Sequence, residues 1–331
     1  MNVAIIGAGN WGTTFGLYLN SIGYSVTLYE YFKERADKIR DERENKTFLP
    51  GYLIPEEIVI TSDIKDAIEN KDIVVFATPS KFMDKITKLS SGYDLKGTIA
   101  VSLSKGIEEE TLRRMSQIIS DNIPQVKDRI VVLSGPSVAR EVVKKVPTTL
   151  VAASINHNAA KFIQKEFSSD YIRIYTTEDI VGVELGGSLK NVYAIAAGIC
   201  DGLHLGMNAK AALLTRALAE MKRLGIKMGG NAETFNGLSG TGDLIVTSFS
   251  KYSRNRHVGE EIGKGKFLTE IMSEMTEVAE GIHTVRSVIK LSKKYNVDTP
   301  IANEVYNVLY KDKSPSVSII HLMRRELKEE D

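Results

Sequence analysis

The sequence predicts an α/β domain on a mostly parallel, doubly wound sheet, followed by an all-helical domain. Three observations carry this. The chain has 331 residues, about two domains at roughly 150 residues each. Its first half alternates short β-branched apolar runs with amphipathic stretches, the pattern of strand–helix–strand units whose strands are covered on both faces. From about Asp179 the strand signal fades and long helical periodicities follow, separated by Gly-rich segments. The expected domains are therefore 1–178 and 179–331.

Taken in order, residues 3–6 (VAII) read as a buried strand ended by Gly7, residues 13–22 as a helix, and residues 25–29 as the next strand. Further strands are expected at 73–77, 98–103, 130–133 and 148–154, with helices between them at 62–69 and 108–120. In the second half the helical expectations are 181–199, 209–224, 281–295, 301–310 and 316–328. The tail 324–331 alternates charge and reads as a solvated helix end.

Composition excludes several classes. Lys+Arg 43 against Asp+Glu 42 gives a net charge of +1, so no global basic field draws the chain to nucleic acid or an anionic membrane. The single cysteine, Cys200, cannot form an intramolecular disulfide. No apolar run approaches the roughly 18 residues of a membrane helix, and the N-terminal apolar stretch is too short for a signal peptide. A cytoplasmic protein is expected. The five histidines are scattered, with no metal-ligand spacing, and no metal is expected.

Gly7-Ala8-Gly9-Asn10-Trp11-Gly12 is a GxGxxG that directly follows the first strand and opens the first helix. That context makes it a dinucleotide fingerprint of the Rossmann type. Gly7 allows the tight turn, Gly9 lets backbone approach a pyrophosphate at the helix N-terminus, and Gly12 lets helix pack on strand. Glu30 stands 23 positions after Gly7, at the end of the second strand, where a carboxylate accepts from the adenosine ribose. A carboxylate there repels a 2′-phosphate, so NAD is expected over NADP. Lys33 and Arg35 follow closely and soften that discrimination. Trp11, the only tryptophan, is either a packing residue or a lid over the cofactor. Ala77-Thr78-Pro79 ends another strand and is expected to border the cofactor.

Four polar clusters mark a substrate side. Lys105 lies at a strand end, before Gly106. Ser134-Gly135-Pro136-Ser137 also follows a strand and offers backbone N–H groups and hydroxyls. Gly186-Gly187 interrupt a helix pattern; interior helical glycines each cost about 1 kcal/mol, so something must approach closely there. Lys190 follows on that helix among apolar residues, with Asn191 beside it. Desolvation lowers a lysine pKa from ~10.4 toward ~7–8, which suits proton exchange with an alcohol or carbonyl oxygen. The fourth cluster, 237–255, carries Asp243, either a helix cap or a carboxylate orienting a lysine, and Ser253-Arg254-Asn255, whose guanidinium fork suits a phosphate. Together these predict hydride transfer between a nicotinamide cofactor and a small phosphorylated alcohol or ketone.

At these residues the sequence resembles the bacterial-type NAD(P)-dependent glycerol-3-phosphate dehydrogenases. The resemblance covers nearly the whole chain: GAGNWGT from Gly7, NKTFLPGYLIPEEIVIT from Asn45, Ser104-Lys105-Gly106, SGPSVAREV from Ser134, GVELGGSLKNVYAIAAGICDGL from Gly182, NAKAALLTRALAEMKRLG from Asn208, GLSGTGDL from Gly237, Ser253-Arg254-Asn255 and VAEG from Val278. It implies that Lys190 is the general acid/base at the C2 oxygen of dihydroxyacetone phosphate, that Lys105 is a second lysine near substrate and cofactor, and that Asp243 orients the reactive lysine. It implies substrate contacts at Gly135, Ser137, Ser253, Arg254 and Asn255, with the phosphate nearest Arg254 and Asn255. Cofactor contacts are implied at Asn10, Trp11, Ala139, Arg254, Val278 and Glu280. The implied role is supply of glycerol 3-phosphate for phospholipids, with a homodimer as the implied assembly. One departure stands out: family members often carry an arginine just after the second strand, and here the segment reads Tyr29-Glu30-Tyr31-Phe32-Lys33. Alternative readings are a related phosphorylated-alcohol or hydroxyacid dehydrogenase, and a catalytically silent nucleotide sensor on the same fold.

Overall fold

The structure is a computed structural model and describes residues 1–275, 277–327 and 329–330. The first part of the chain builds an eight-stranded sheet in the order β3-β2-β1-β4-β5-β6-β7-β8. Its strands are β1 (Asn2–Ile6), β2 (Ser25–Tyr29), β3 (Val59–Thr61), β4 (Ile73–Phe76), β5 (Ile99–Ser102), β6 (Ile130–Ser134), β7 (Thr148–Ala153) and β8 (Ile172–Thr177). Every neighbouring pair is parallel except β6 with β7.

The central strands are mostly apolar because alternate side chains enter different layers, both buried. Val3 and Ile5 join one core with Phe15, Val75 and Val101. Ala4 and Ile6 join the opposite core with Val74, Phe76 and Ile119. From β1 the chain winds outward through β2 and β3, then returns to β4 and winds the other way. Such a reversal opens a crevice beyond the strand C-termini, here beside β1 and β4.

Several elements differ from expectation. The first helix spans Asn10–Ser21, beginning inside the glycine motif rather than at Thr13. Of 108–120, only the stretch from Met115 onward is helical, in Met115–Asn122, because an isolated bridge joins Ile107 to Arg114 and turns the preceding segment back. β3 and β8 carry no continuous apolar run. In β8 buried Ile172 and Ile174 alternate with exposed Arg173 and Tyr175, as befits an edge strand with one solvated face. The last helix is Pro315–Met323. Residues 324–327 lie beyond its end and are exposed, which corrects the reading of the tail as a helix end; residues 328 and 331 of that tail fall outside the described residues.

Among the described residues no strand follows β8. The central helix Ile180–Gly202 is buried along nearly its whole length, and helices Gly206–Lys227, Asp243–Phe249, Arg254–Gly263 and Glu280–Tyr295 pack around it. Its crossing with Arg254–Gly263 is backbone on backbone. A Cβ on Gly198 would overlap the carbonyl of Arg256, and one on Gly259 would overlap that of Ile195. This approach fixes Arg254 and Asn255, at the start of one helix, against Lys190 and Asn191 on the other.

The helical part is fastened to the sheet. Ile180 and Val183 complete one of the sheet's two cores. Glu184, buried on the next turn, accepts from Ser116 N at 2.8 Å, Ser116 Oγ at 2.6 Å and the Arg114 guanidinium. Such a carboxylate is stabilising only because several donors compensate its desolvation.

Candidate active site

A cleft of about 820 Å³ runs between the C-terminal edge of the sheet and the helical part. At one end lies the glycine loop. Gly7 has φ +120°, a conformation closed to most L-residues. Gly9, Asn10 and Trp11 line the cleft, whereas Gly12 does not. A Cβ on Gly12 would overlap the Gly7 carbonyl, so its role is close packing. Gly9 caps the first helix with no side-chain hydrogen bond, which leaves first-turn N–H groups for an anion. Asn10 Oδ1 is buried with no partner. Loop, helix terminus and orphaned oxygen all fit a dinucleotide. Asn45 braces the loop: it is buried, and its Nδ2 donates to Ala8 O at 2.8 Å and to Thr13 Oγ1 at 2.9 Å.

Trp11 is partly buried against Phe15, with ring centroids 5.8 Å apart, and also lines the cleft. It both packs and borders the ligand space. The loop Ala77-Thr78-Pro79 borders the cleft as expected. Its Thr78 Oγ1 donates to Ile6 O at 2.9 Å. Glu30 lines the cleft but is not a lone carboxylate, since Arg35 Nη2 donates to its Oε1 at 2.5 Å.

Deeper in, three predicted residues meet. Lys190 Nζ donates to Asp243 Oδ1 at 2.7 Å and to Thr247 Oγ1 at 2.6 Å. Lys105 Nζ donates to Asp243 Oδ2, and to Gly135 O at 3.3 Å. Asp243 is the first residue of its helix, and Gly242, not Asp243, is the cap; its carboxylate is bonded to both lysines. Burial pulls the Lys190 ammonium down from 10.5 to about 8, against the upward pull of Asp243; Lys105 and Arg254 add to the fall. Burial alone would raise the Asp243 carboxyl, but Lys105 and Lys190 together hold it below its usual range. Thr247 went unnoticed in the sequence. Its spacing from Asp243, four residues on a helix, is the signal that places both on one face.

The two helical glycines are explained by contacts. A Cβ on Gly186 would stand 2.7 Å from Ser239 O, and one on Gly187 the same distance from Ser134 Oγ, near the aliphatic stem of Lys105. Removing both side chains lets the central helix settle against the loops that carry the other site residues.

At the far end, Arg254 lines the cleft, tied by Nη1 to Val278 O at 3.0 Å and to Glu277 at 3.1 Å. Asn255 Nδ2 donates to Asn191 Oδ1 at 2.9 Å, and Asn255 Oδ1 accepts from Gly281 N at 2.9 Å. Those bonds occupy part of the amide expected at the phosphate and leave it remaining N–H capacity. Ser253 Oγ caps its helix by accepting from Arg256 N at 3.2 Å, leaving its O–H to donate. Ser137, Ala139 and Val278 line the cleft, but Gly135 does not; its carbonyl instead holds Lys105. Glu280 lines the cleft and accepts from Ser80 N at 2.9 Å and Ser80 Oγ at 2.5 Å, linking the helical part to the loop after β4. Sequence reasoning missed Ser80, Asn45 and Glu277, whose partners lie far along the chain. Among the described residues no group of three or more His, Cys, Asp or Glu is placed to hold a metal ion.

The chain is similar to known proteins over nearly its whole length. The family described as "NAD-dependent glycerol-3-phosphate dehydrogenase N-terminus" matches residues 2–160, and its "C-terminus" counterpart matches 179–319. A glycerol-3-phosphate dehydrogenase [NAD(P)+] of Syntrophotalea carbinolica is 44% identical over 331 residues, covering 100% of this chain and 99% of the relative. One from Chlorobium chlorochromatii is 45% identical with the same coverage. The crystal structure of glycerol-3-phosphate dehydrogenase (gpsA) from Coxiella burnetii superposes with a TM-score of 0.93 at 34% identity, covering 98% of this chain and 99% of that one.

Proposed function

The chain belongs to the NAD-dependent glycerol-3-phosphate dehydrogenase family, and from that premise we propose how its cleft interconverts dihydroxyacetone phosphate and sn-glycerol 3-phosphate. It is an NAD(P)-dependent oxidoreductase. The observation that carries the mechanism is the buried Lys190–Asp243 pair in the same cleft as the glycine loop.

The glycine loop, Asn10 and Trp11 would hold a nicotinamide dinucleotide, which when bound would supply the hydride acceptor or donor for carbon 2 of the substrate. Lys190, as ammonium, donates a proton to the C2 oxygen in reduction; as amine, it accepts that proton in oxidation. A pKa near 8 makes both forms accessible close to neutrality. Asp243 and Thr247 hold the Lys190 nitrogen in place, and Lys105 faces the same carboxylate as a second cation beside the developing alkoxide. Arg254 offers a planar fork to the phosphate, with Asn255, Asn191, Ser253 and Ser137 as hydrogen-bonding neighbours. Glu30 is the acceptor for the adenosine ribose, favouring NAD, and Ala139, Val278 and Glu280 complete the cofactor wall.

The division into sheet and helical domains at 178/179 is supported by β8 ending at Thr177 and the central helix starting at Ile180. No helix among the described residues is long and apolar enough to cross a membrane. A cytoplasmic location, a homodimer and a role in phospholipid supply rest on the family resemblance; light scattering on the purified protein tests the dimer. A silent nucleotide sensor is not favoured, since Lys190, Lys105 and Asp243 are all present and joined.

The test is oxidation of NADH, and separately NADPH, with dihydroxyacetone phosphate. Turnover with either supports the reaction. Folded protein that binds nucleotide yet oxidises neither would overturn it.

A further inference from the structure

The ribose end of the cleft holds more positive charge than the sequence around Glu30 announces. Arg35 lies on the helix Lys33–Glu42 and its Nη2 donates to Glu30 Oε1 at 2.5 Å. That same oxygen accepts from Phe32 N at 3.0 Å. The guanidinium lies 4.8 Å from the centre of the Phe32 ring and 5.1 Å from that of Phe48, so two aromatic faces hold it. Its Nε is buried with no partner. Arg35 and Lys85 both line the cleft, with the Lys85 ammonium 4.5 Å from the centre of the Tyr31 ring. Lys33 does not line it.

Arg35 therefore faces the carboxylate, and Lys85 is a second cation lining the same cleft, beside Tyr31. A lone carboxylate here would repel a 2′-phosphate. A carboxylate already paired with a guanidinium presents much less negative charge, and that guanidinium keeps unused donors in the planar arrangement that matches phosphate oxygens. The aromatic faces stabilise the cation without consuming those donors.

We propose that Arg35 is the specificity-determining residue of the cofactor's adenosine end. It turns from Glu30 to the 2′-phosphate of NADP, with Lys85 as a second cation. It stays on Glu30 when the ribose carries a hydroxyl. This gives a structural form to the expectation that Arg35 softens the preference for NAD that Glu30 sets. The inference rests on the cleft being the NAD(P) site, and it goes further by naming the residue that admits the second cofactor.

Calorimetric titration with 5′-AMP and with 2′,5′-ADP isolates this end from hydride transfer. The wild type is expected to bind both. Arg35→Gln should weaken 2′,5′-ADP by about tenfold or more, the usual effect of losing a charge-assisted hydrogen bond, and shift 5′-AMP by no more than about threefold. Retained 5′-AMP binding shows that this variant is folded. Arg35→Lys should recover only part of the 2′,5′-ADP affinity, since an ammonium lacks the fork. Glu30→Gln should tighten 2′,5′-ADP. The proposal falls if Arg35→Gln weakens both probes alike, or if the wild type binds 5′-AMP but rejects 2′,5′-ADP. If neither probe binds the wild type, the cofactor reading of this end falls, and the proposal with it.

Discussion

Lys105 and Lys190 reach the same carboxylate from opposite sides: Lys190 holds Oδ1 of Asp243 and Lys105 holds Oδ2. One lysine follows β5 of the sheet; the other stands on the central helix. A single negative charge thus compensates two ammonium groups, and burial makes the Lys190 ammonium give up its proton more readily than an exposed lysine does. The join between the two parts of the chain holds the proposed proton-transfer centre.

Lys190→Met should reduce turnover by roughly a hundredfold or more, the range for losing a positioned acid or base. NADH binding, read by titration, should persist. Turnover near that of the wild type would remove Lys190 from the proton step.

The rate should depend on pH in opposite senses for the two directions. Ketone reduction needs the ammonium and should fall as pH rises through about 8; alcohol oxidation needs the amine and should rise through the same range. Thr247→Val removes a hydroxyl that accepts from the ammonium and should move both limbs to lower pH. Unmoved profiles in that variant would leave Thr247 a packing residue only.

Arg254→Ala should raise the KM for dihydroxyacetone phosphate by about tenfold or more through loss of charge-assisted bonds, with a smaller effect on kcat. Steady-state kinetics checks this. An unchanged KM would place the phosphate elsewhere.

Gly259→Ala should test the helix crossing. The added methyl meets the Ile195 carbonyl, and forced separation of packed helices costs about 1–3 kcal/mol. Denaturant unfolding should show the loss. Substrate KM should also rise, because Arg254 and Asn255 move with that helix.

Glu220→Gln should alter the pH dependence of stability. Glu220 is buried and accepts from Ile301 N at 2.7 Å and Tyr193 Oη at 3.2 Å. Burial lifts its carboxyl from 4.5 to about 7. Between those values the folded chain keeps a proton that the unfolded chain releases, so this site loses stability as pH rises across the window. Thermal melts of the variant should show a flatter slope between pH 4.5 and 7. An identical slope would assign the titration to other groups.

Much of the fold was legible in the sequence because buried strands leave short apolar runs, and the glycine motif sits directly between one such run and a helix. β3 and β8 were not, since three residues are too few to show a pattern and β8 alternates with solvent. The buried Lys190–Asp243 pair was legible for a related reason. Lys190 stands in an apolar helical pattern, and Asp243 follows two glycines, of which Gly240 leaves no room for a Cβ. Partners across long chain distances, such as Glu280 with Ser80 or Asn45 with Ala8, leave no local trace. The Glu30–Arg35 pair falls between: both residues were in view, but their contact, which changes the net charge at the ribose end, is a product of the fold.

Trp11 is the chain's only indole, and it stands at the wall of the cleft beside the glycine loop. The molecule therefore carries one indole fluorophore beside its thirteen tyrosines, and that indole borders the cleft. Indole emission from this protein comes from the cleft wall, with no background from distant tryptophans, so a ligand entering the cleft can be followed in real time without a label.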